Sequence, residues 1–272
     1  MDIYDKISPG DIMQIAKNNE IIKEFKNIIK NINKYPHLTI SDDLQVLKIV
    51  YEYNLKIDTL LYVEKEYHDD TKLLLENLKK ISNNYYEISE STYQMLALKE
   101  NHVGIIASII LPNYSLEDFK NKEYLVVLDS LEIPGNIGTV YRTLESINAD
   151  GIILVNPITK MNNINVTSSS RGSSLIIPTI SLSYEEALNY LLDNNYDIYL
   201  GEPELGKDYQ EYNYKGKIAL VFGNERFGIN QDWYNHKHLK VFIPMEGRQN
   251  SLNVSIATSI VAYEAYMKRR KK

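Results

Sequence analysis

The sequence predicts an α/β protein in two parts: a small N-terminal α/β unit and a larger C-terminal unit on a mostly parallel sheet. Two observations carry this. After residue 124, short apolar runs such as Leu125-Val-Val-Leu128 and Gly151-Ile-Ile-Leu-Val155 alternate with segments of helical spacing, the pattern of a sheet covered on both faces. Ahead of it, Leu111-Pro-Asn-Tyr-Ser-Leu-Glu-Asp-Phe-Lys-Asn-Lys-Glu123 combines proline, polar residues and mixed charge and reads as a boundary. The expected division is 1–115, a linker at 116–123, and 124–272.

In the first part, Ile12, Ile15, Ile21, Ile22, Phe25, Ile28 and Ile29 predict a helix over about 11–35. Ser41 reads as an N-cap, with Asp42 and Asp43 in the first turn of a helix to Tyr53. Thr59–Val63 is a strand, Asp70–Ile81 a helix, Tyr85–Ile88 a strand, Ser91–Leu98 a helix and Gly104–Leu111 a buried strand. This alternation implies a small three-layer unit. His68 and His102 stand alone and form no catalytic set.

In the second part, Leu125–Leu128 leads into a turn at Pro134–Gly138 and a helix to Asn148. Gly151–Val155 is the next strand, a short helix lies near Ser168–Ser174, and Ile176-Ile177 opens another strand. Tyr184–Asp193 is a helix, Asp197–Leu200, Ile218–Phe222 and Lys240–Ile243 are strands, and Asn253–Arg269 is the last helix. Ligands of such sheets sit beyond the C-terminal ends of the strands.

Composition narrows the class. The chain has 272 residues, 44% hydrophobic and 24% charged, as in an ordinary globular protein. It has no cysteine, which excludes disulfides and Cys-ligated metal and fits a reducing, cytoplasmic setting. No secretory leader or membrane span is expected, and no metal site. The net charge is −6; residues 1–120 carry 14 basic and 19 acidic residues, and residues 121–272 carry 16 and 17, ending in Lys268-Arg-Arg-Lys-Lys272. Bulk charge therefore does not advertise a nucleic-acid surface, although a local basic face is compatible with it. The 22 tyrosines are scattered, which favours packing over base stacking for most of them.

Three loops after strands carry glycines and polar residues that regular structure does not require. The first is Pro134-Gly-Asn-Ile-Gly-Thr-Val-Tyr-Arg142, with Asn136 at a natural helix start; alone it equally fits a capped helix with a surface arginine. The second is Phe222-Gly-Asn-Glu-Arg-Phe-Gly-Ile229. The third is Val241-Phe-Ile-Pro-Met-Glu-Gly-Arg-Gln-Asn-Ser-Leu-Asn-Val-Ser255, a strand, a polar loop and a helix entrance whose backbone groups have no local partners. None follows a dinucleotide or P-loop glycine pattern.

In this order the loops resemble the three signature motifs of the SPOUT methyltransferases of the TrmH/SpoU branch. Asn136 and Arg142 match the first, Gly223-Asn-Glu225 with Gly228 the second, and Ile243-Pro-Met with Ser251-Leu-Asn-Val-Ser255 the third, over roughly residues 124–268. A closer similarity, to the thiostrepton-resistance enzymes that methylate an adenosine of 23S ribosomal RNA, rests on Val126–Asp129, Gly135–Gly138, Gly151–Val155 and Ser170-Arg-Gly172. The N-terminal unit then resembles the ribosomal-protein-like RNA-binding domain of those enzymes, through its layout and Lys99-Glu-Asn-His-Val-Gly-Ile-Ile-Ala107.

The resemblance implies a deep trefoil knot, a homodimer, S-adenosyl-L-methionine as cofactor, and methyl transfer to a ribose 2′-hydroxyl of RNA, ribosomal or transfer, with neither membrane nor DNA as partner. It also leaves open an RNA-binding protein that has lost the reaction. Arg142, Asn136, Glu225, Ser251 and Asn253 match catalytic positions. Leu200, Gly201, Gly223, Asn224, Ile243, Met245, Ser251, Leu252 and Asn253 match cofactor positions. Arg142 and Arg171 match substrate positions, Arg171 fitting equally a surface ion pair. A guanidinium stays protonated, so Arg142 suits holding a phosphate and a developing alkoxide better than acting as a simple base.

Overall fold

The computed structural model describes residues 14–99 and 103–270. His102, the start of the expected first helix and the last two lysines lie outside them. The chain divides after Leu111 into two compact units.

In the first unit the elements run α1 (Glu20–Lys30), β1 (Leu38–Ser41), α2 (Leu44–Glu52), β2 (Ile57–Tyr62), α3 (Asp69–Ile81), β3 (Ser82–Glu87), α4 (Glu90–Leu96) and β4 (Ile105–Ile110). The sheet order is β1-β4-β2-β3, with β4 antiparallel to both neighbours and β2 parallel to β3. Residues Ile105–Ile109 are all buried, so helices cover both faces of β4.

Two sequence expectations shift here. Helix α1 begins at Glu20, because the Asn19 side chain caps it by accepting from Ile21 N, while Gln14 bridges to Glu87. Ser41 is the last residue of β1 rather than a cap; Asp43 caps α2 by accepting from Gln45 N at 2.8 Å.

The second unit runs β5 (Tyr124–Asp129), α5 (Pro134–Ser146), β6 (Gly151–Val155), α6 (Ile164–Ser169), β7 (Thr179–Leu182), α7 (Tyr184–Asp193), β8 (Asp197–Glu202), β9 (Lys207–Asp208), β10 (Ile218–Phe222), β11 (Leu239–Phe242) and α8 (Val254–Arg270). The order β7-β6-β5-β10-β8-β11-β9 is parallel throughout. Alternation along β5 feeds two cores. Val126 and Leu128 pack with Val140, Leu144, Val261 and Ala262 of α5 and α8; Leu125 and Val127 pack with Ala187 and Leu191 of α7 and with Trp233. Most of the core strands are apolar on both sides for this reason.

The expected linker is not a free connector. Leu116–Phe119 forms a 3₁₀ turn closed by Ser115 and Asp118, and the buried Phe119 joins the α7-side core. Nor is Pro134–Gly138 a turn. Pro134 stands at the first helical position, where its missing N–H costs nothing, and α5 starts there. The terminal basic run is also partly internal. Arg269 donates to the carbonyls of Tyr214 (3.0 Å) and Gly216 (2.7 Å) and pairs with Glu123 (3.1 Å), while Tyr124 Oη donates to Ala262 O at 2.6 Å. These bonds fix α8 against the edge of β5 and β10.

Gly138 sits inside α5 where α6 crosses it. A Cβ there would lie 2.0 Å from Ser169 Oγ and 2.7 Å from the Ser170 backbone nitrogen. Replacing a helical glycine by alanine ordinarily stabilises by about 1 kcal/mol. Overpacking a closed contact costs about 1–3 kcal/mol. Gly138→Ala is therefore expected to lower the urea midpoint at unchanged m-value; a raised midpoint would show that the two helices are not in such contact.

Candidate active site

The chain leaves β5 toward β6 and later returns on its other side through β8, β10 and β11, so strand order reverses between β5 and β10. Ligands of open parallel sheets sit beyond the strand ends at such a reversal. A cavity of about 420 Å³ lies there, lined by residues from the loops after β5, β8, β10 and β11. Its size is that of a small-molecule site.

The loop after β10 is pinched shut at its base. A Cβ on Gly223 would meet the carbonyl of Gly228 at 2.2 Å, and Gly228 adopts a φ of +71°. Asn224 holds the turn. Its carbonyl accepts from Gly228 N at 2.9 Å, and its Oδ1 accepts from Arg226 N (2.9 Å) and Phe227 N (3.1 Å). Its Nδ2 reaches back to Ser130 O at 2.8 Å. The turn projects Glu225 toward α5.

Glu225 supplies what α5 lacks. The residue ahead of the helix is Ile133, whose side chain cannot cap. The Glu225 carboxylate instead accepts from Glu132 N (3.1 Å), Ile133 N (3.1 Å) and Asn136 Nδ2 (2.9 Å), an anion at a helix N-terminus. Burial acts to raise the Glu225 pKa, but the Asn136 amide and the backbone N–H groups outweigh it and hold the carboxyl below its ordinary value.

The network continues into the third loop. Asn136 Oδ1 accepts from Asn253 Nδ2 at 3.0 Å, and Asn253 Oδ1 accepts from Ser255 N (2.9 Å) and Ser255 Oγ (2.6 Å), capping α8. Both amide orientations follow from the ends of this chain. A backbone N–H at Ser255 requires the Asn253 oxygen, and a carboxylate at Glu225 requires the Asn136 nitrogen.

The stretch between β11 and α8 has the opposite character. Among the described residues, no group from Ile243 to Leu252 forms a hydrogen bond or ion pair. Ile243, Met245, Ser251 and Leu252 of this stretch line the cavity, opposite Phe222 and Val261. Unpaired backbone groups and the free Ser251 hydroxyl thus surround an apolar floor. That combination suits a ligand with an apolar body and polar edges.

The structure brings ten of the sequence-nominated residues to this cavity: Asn136, Gly201, Gly223, Asn224, Glu225, Ile243, Met245, Ser251, Leu252 and Asn253. Three are elsewhere. Leu200 is fully buried in the α7-side core, because strand alternation turns it away from the cavity. Arg142 is exposed on α5, without a hydrogen bond or ion pair among the described residues, and outside the lining. Arg171 follows α6 with a φ of +51°, also outside the lining. Asn136 lies in the first turn of α5 rather than capping it. Glu202, Pro203 and Arg226 line the cavity without having been nominated; Gly201-Glu-Pro203 at the end of β8 was the available signal. Among the described residues, no group of three or more acidic or histidine side chains could hold a metal, and no helix is long and apolar enough to cross a membrane.

Residues 123–263 match the SpoU rRNA Methylase family. Over 178 residues the chain is 26% identical to the 23S rRNA guanosine 2′-O-methyltransferase RlmP of Bacillus subtilis, covering 65% of this chain and 71% of that protein. It is 30% identical over 207 residues to a protein of Staphylococcus haemolyticus assigned to the TrmH family of tRNA/rRNA methyltransferases, covering 72% and 82%. In fold it resembles an AdoMet-bound rRNA methyltransferase from Sinorhizobium meliloti, with TM-score 0.84 and 24% identity over 96% of this chain and 98% of the other. It likewise resembles the SpoU methyltransferase AviRb of Streptomyces viridochromogenes in complex with AdoMet, with TM-score 0.81 and 20% identity over 93% and 100%.

A lowered carboxyl pKa stabilises the fold fully above the unfolded value, near pH 4.3, and less as pH falls through the folded one. Glu225→Gln leaves three N–H donors facing a single acceptor oxygen. It is expected to cost about 1–3 kcal/mol at pH 7, with the difference from wild type shrinking below pH 4. Equal urea midpoints at pH 7 would refute this role for Glu225.

Proposed function

The chain belongs to the SpoU rRNA methylase family, and from that premise we propose that it is an RNA methyltransferase using S-adenosylmethionine to modify a ribose 2′-hydroxyl, with ribosomal RNA as substrate. The observation that carries the reading is the unpaired loop Ile243–Leu252 on the wall of a cavity with an apolar floor. The Bacillus relative is a 23S rRNA guanosine 2′-O-methyltransferase, which supports the ribose and ribosomal choices.

The residues present fit the cofactor. Backbone at Gly223, Ile243 and Leu252 can meet the polar edges of an adenosyl group, and Phe222 and Val261 can meet its faces. When bound, the cofactor supplies an electrophilic methyl on sulfonium. The protein then has to hold the ribose oxygen in line and stabilise negative charge as its proton leaves. Glu225 cannot take that proton readily, because its carboxylate is already engaged by three N–H groups. Ser251 Oγ is the free side-chain hydroxyl of the cavity wall and is assigned to orienting substrate or cofactor. Arg142 is assigned to an RNA phosphate and the developing alkoxide, since its guanidinium is exposed and lacks a protein partner among the described residues.

A homodimer belongs to the same reading. Helix α8 carries Ile256, Ile260, Tyr263 and Met267 along one stripe, and Ile256 and Tyr263 are 47% and 48% exposed. Leu252, itself exposed, continues that stripe into the cavity rim. A second copy seated there would extend the wall of the site. The trefoil knot, the ribosomal-protein-like role of the N-terminal unit and a cytoplasmic setting are part of the proposal.

Purified protein incubated with cellular RNA and methyl-labelled S-adenosylmethionine should label RNA, and mass spectrometry should locate the methyl on one ribose. A site in transfer RNA would move the substrate assignment; absence of labelling would overturn the reading. Arg142→Ala is expected to lower kcat about 10²–10³-fold with the fold intact by circular dichroism, and full activity would remove Arg142 from the mechanism. Tyr263→Glu is expected to give monomers in sedimentation velocity, and an unchanged dimer would exclude this stripe as the interface.

A further inference from the structure

The Gly223–Gly228 turn faces two cavities. Asn224 and Gly228 line the candidate active site and also a second cavity of about 350 Å³, whose walls carry Phe227, Ile158, Glu132 and Gln231. Phe227 is 82% exposed, more than any other large hydrophobic side chain among the described residues, and Ile158 opposite is 58% exposed. An exposed aromatic and an exposed aliphatic side chain on one cavity wall offer an apolar surface to an occupant. The ring is not carried on a slack loop. Phe227 N donates to Asn224 Oδ1, Gly228 N donates to Asn224 O, and Gly223 admits no side chain. The backbone that presents the ring is therefore fixed before anything binds, which lowers the entropic cost of using it.

The rim of this second cavity identifies the occupant. Glu132 contributes a carboxylate whose recorded bond is one long contact, 3.3 Å from Asn224 Nδ2. Gln231 contributes a side chain with no hydrogen bond among the described residues. A carboxylate repels phosphate but accepts from the amino and imino groups of a base edge, and an amide serves either edge. The cation of the turn, Arg226, lies instead on the lining of the first cavity. RNA-binding proteins recognise unstacked bases by aromatic stacking and edge hydrogen bonds.

We infer that Phe227, with Ile158, Glu132 and Gln231, forms a base-binding subsite that stacks an unpaired RNA base at or next to the methylated nucleotide. The inference rests on the methyltransferase reading above and assigns to that site a preference for unstacked RNA. A ribose entering the first cavity and a base entering the second share one wall, the Asn224–Gly228 turn.

The test compares wild type with Phe227→Ala, Phe227→Trp and Phe227→Leu in the full chain. Binding of a single-stranded RNA oligonucleotide is followed by fluorescence anisotropy, and KM for RNA by labelled methyl transfer. Phe227→Ala is expected to weaken RNA binding and raise KM about 5- to 150-fold. Cofactor affinity by calorimetry and kcat at saturating RNA should stay near wild type. Tryptophan should restore binding and leucine should not. Unchanged RNA affinity in Phe227→Ala, or full rescue by leucine, overturns the subsite. So does a change of sedimentation coefficient in Phe227→Ala, which would make the ring a subunit contact. Wild type that binds RNA without methylating it would instead overturn the catalytic reading, and the anisotropy series would still decide the subsite.

Discussion

Everything at the candidate site depends on one hydrogen-bonded chain, Glu225 to Asn136 to Asn253 to Ser255. It joins the loop after β10, the first turn of α5 and the first turn of α8, three segments far apart in sequence. Each link also closes a helix end. Glu225 accepts from the backbone N–H groups of Glu132 and Ile133, immediately ahead of α5, and Asn253 caps α8. A break at Glu225 or at Asn253 leaves a donor on a buried residue, Asn136 Nδ2 or Ser255 N, without its acceptor. Asn136 is 8% exposed and Asn224 7%, so water cannot readily replace the lost partner. The network is therefore a positional constraint on the loops before it is anything chemical.

That constraint makes the bareness of Ile243–Leu252 tolerable. A run of backbone with no internal hydrogen bonds is ordinarily a mobile surface segment. Here its two ends are fixed, by β11 paired to β8 on one side and by Asn253 on the other. Helix α8 is in turn anchored far from the site, where Arg269 reaches Tyr214, Gly216 and Glu123. The loop keeps its polar groups available because satisfied groups around it hold the frame. Local rules violated at a site and compensated around it are what a functional surface is expected to look like.

The sequence disclosed the frame better than the joints. Ile218–Phe222, Gly151–Val155 and Tyr184–Asp193 were readable to the residue, because apolar runs and helical spacing are set by burial on a regular sheet. Four-residue β1 and two-residue β9 escaped, being too short to show a period. The start of α5 was misplaced although Pro134 at the first helical position signals it. Ten nominated residues meet at one cavity because motifs at strand ends of a parallel sheet necessarily converge. Of the neighbouring pair Leu200 and Gly201 only the glycine lines the cavity, because proximity to a strand end does not say which face a side chain takes. What no pattern contained was that Asn136, Glu225 and Asn253 bond to one another. Phe227 was equally hidden, since its exposure depends on a turn closed by Asn224.

Those bonds change the meaning of the polar set. Residues that look from the sequence like a catalytic constellation prove to be engaged with each other, and the groups left free among the described residues include the Ser251 hydroxyl, the loop backbone and the guanidinium groups of Arg142 and Arg226. Such economy fits a reaction whose electrophile arrives on a cofactor. Where a cofactor carries the reactive group, the protein contributes binding, orientation and a favourable field, and few side chains need unusual acidity. Glu225 illustrates this: its surroundings push its carboxyl away from the range useful for general base work at neutral pH. With no protein base free to enforce it, the alignment of the reacting groups then has to come from how substrate and cofactor are bound. The chemistry of a site built this way is correspondingly sensitive to how those three loops are held together.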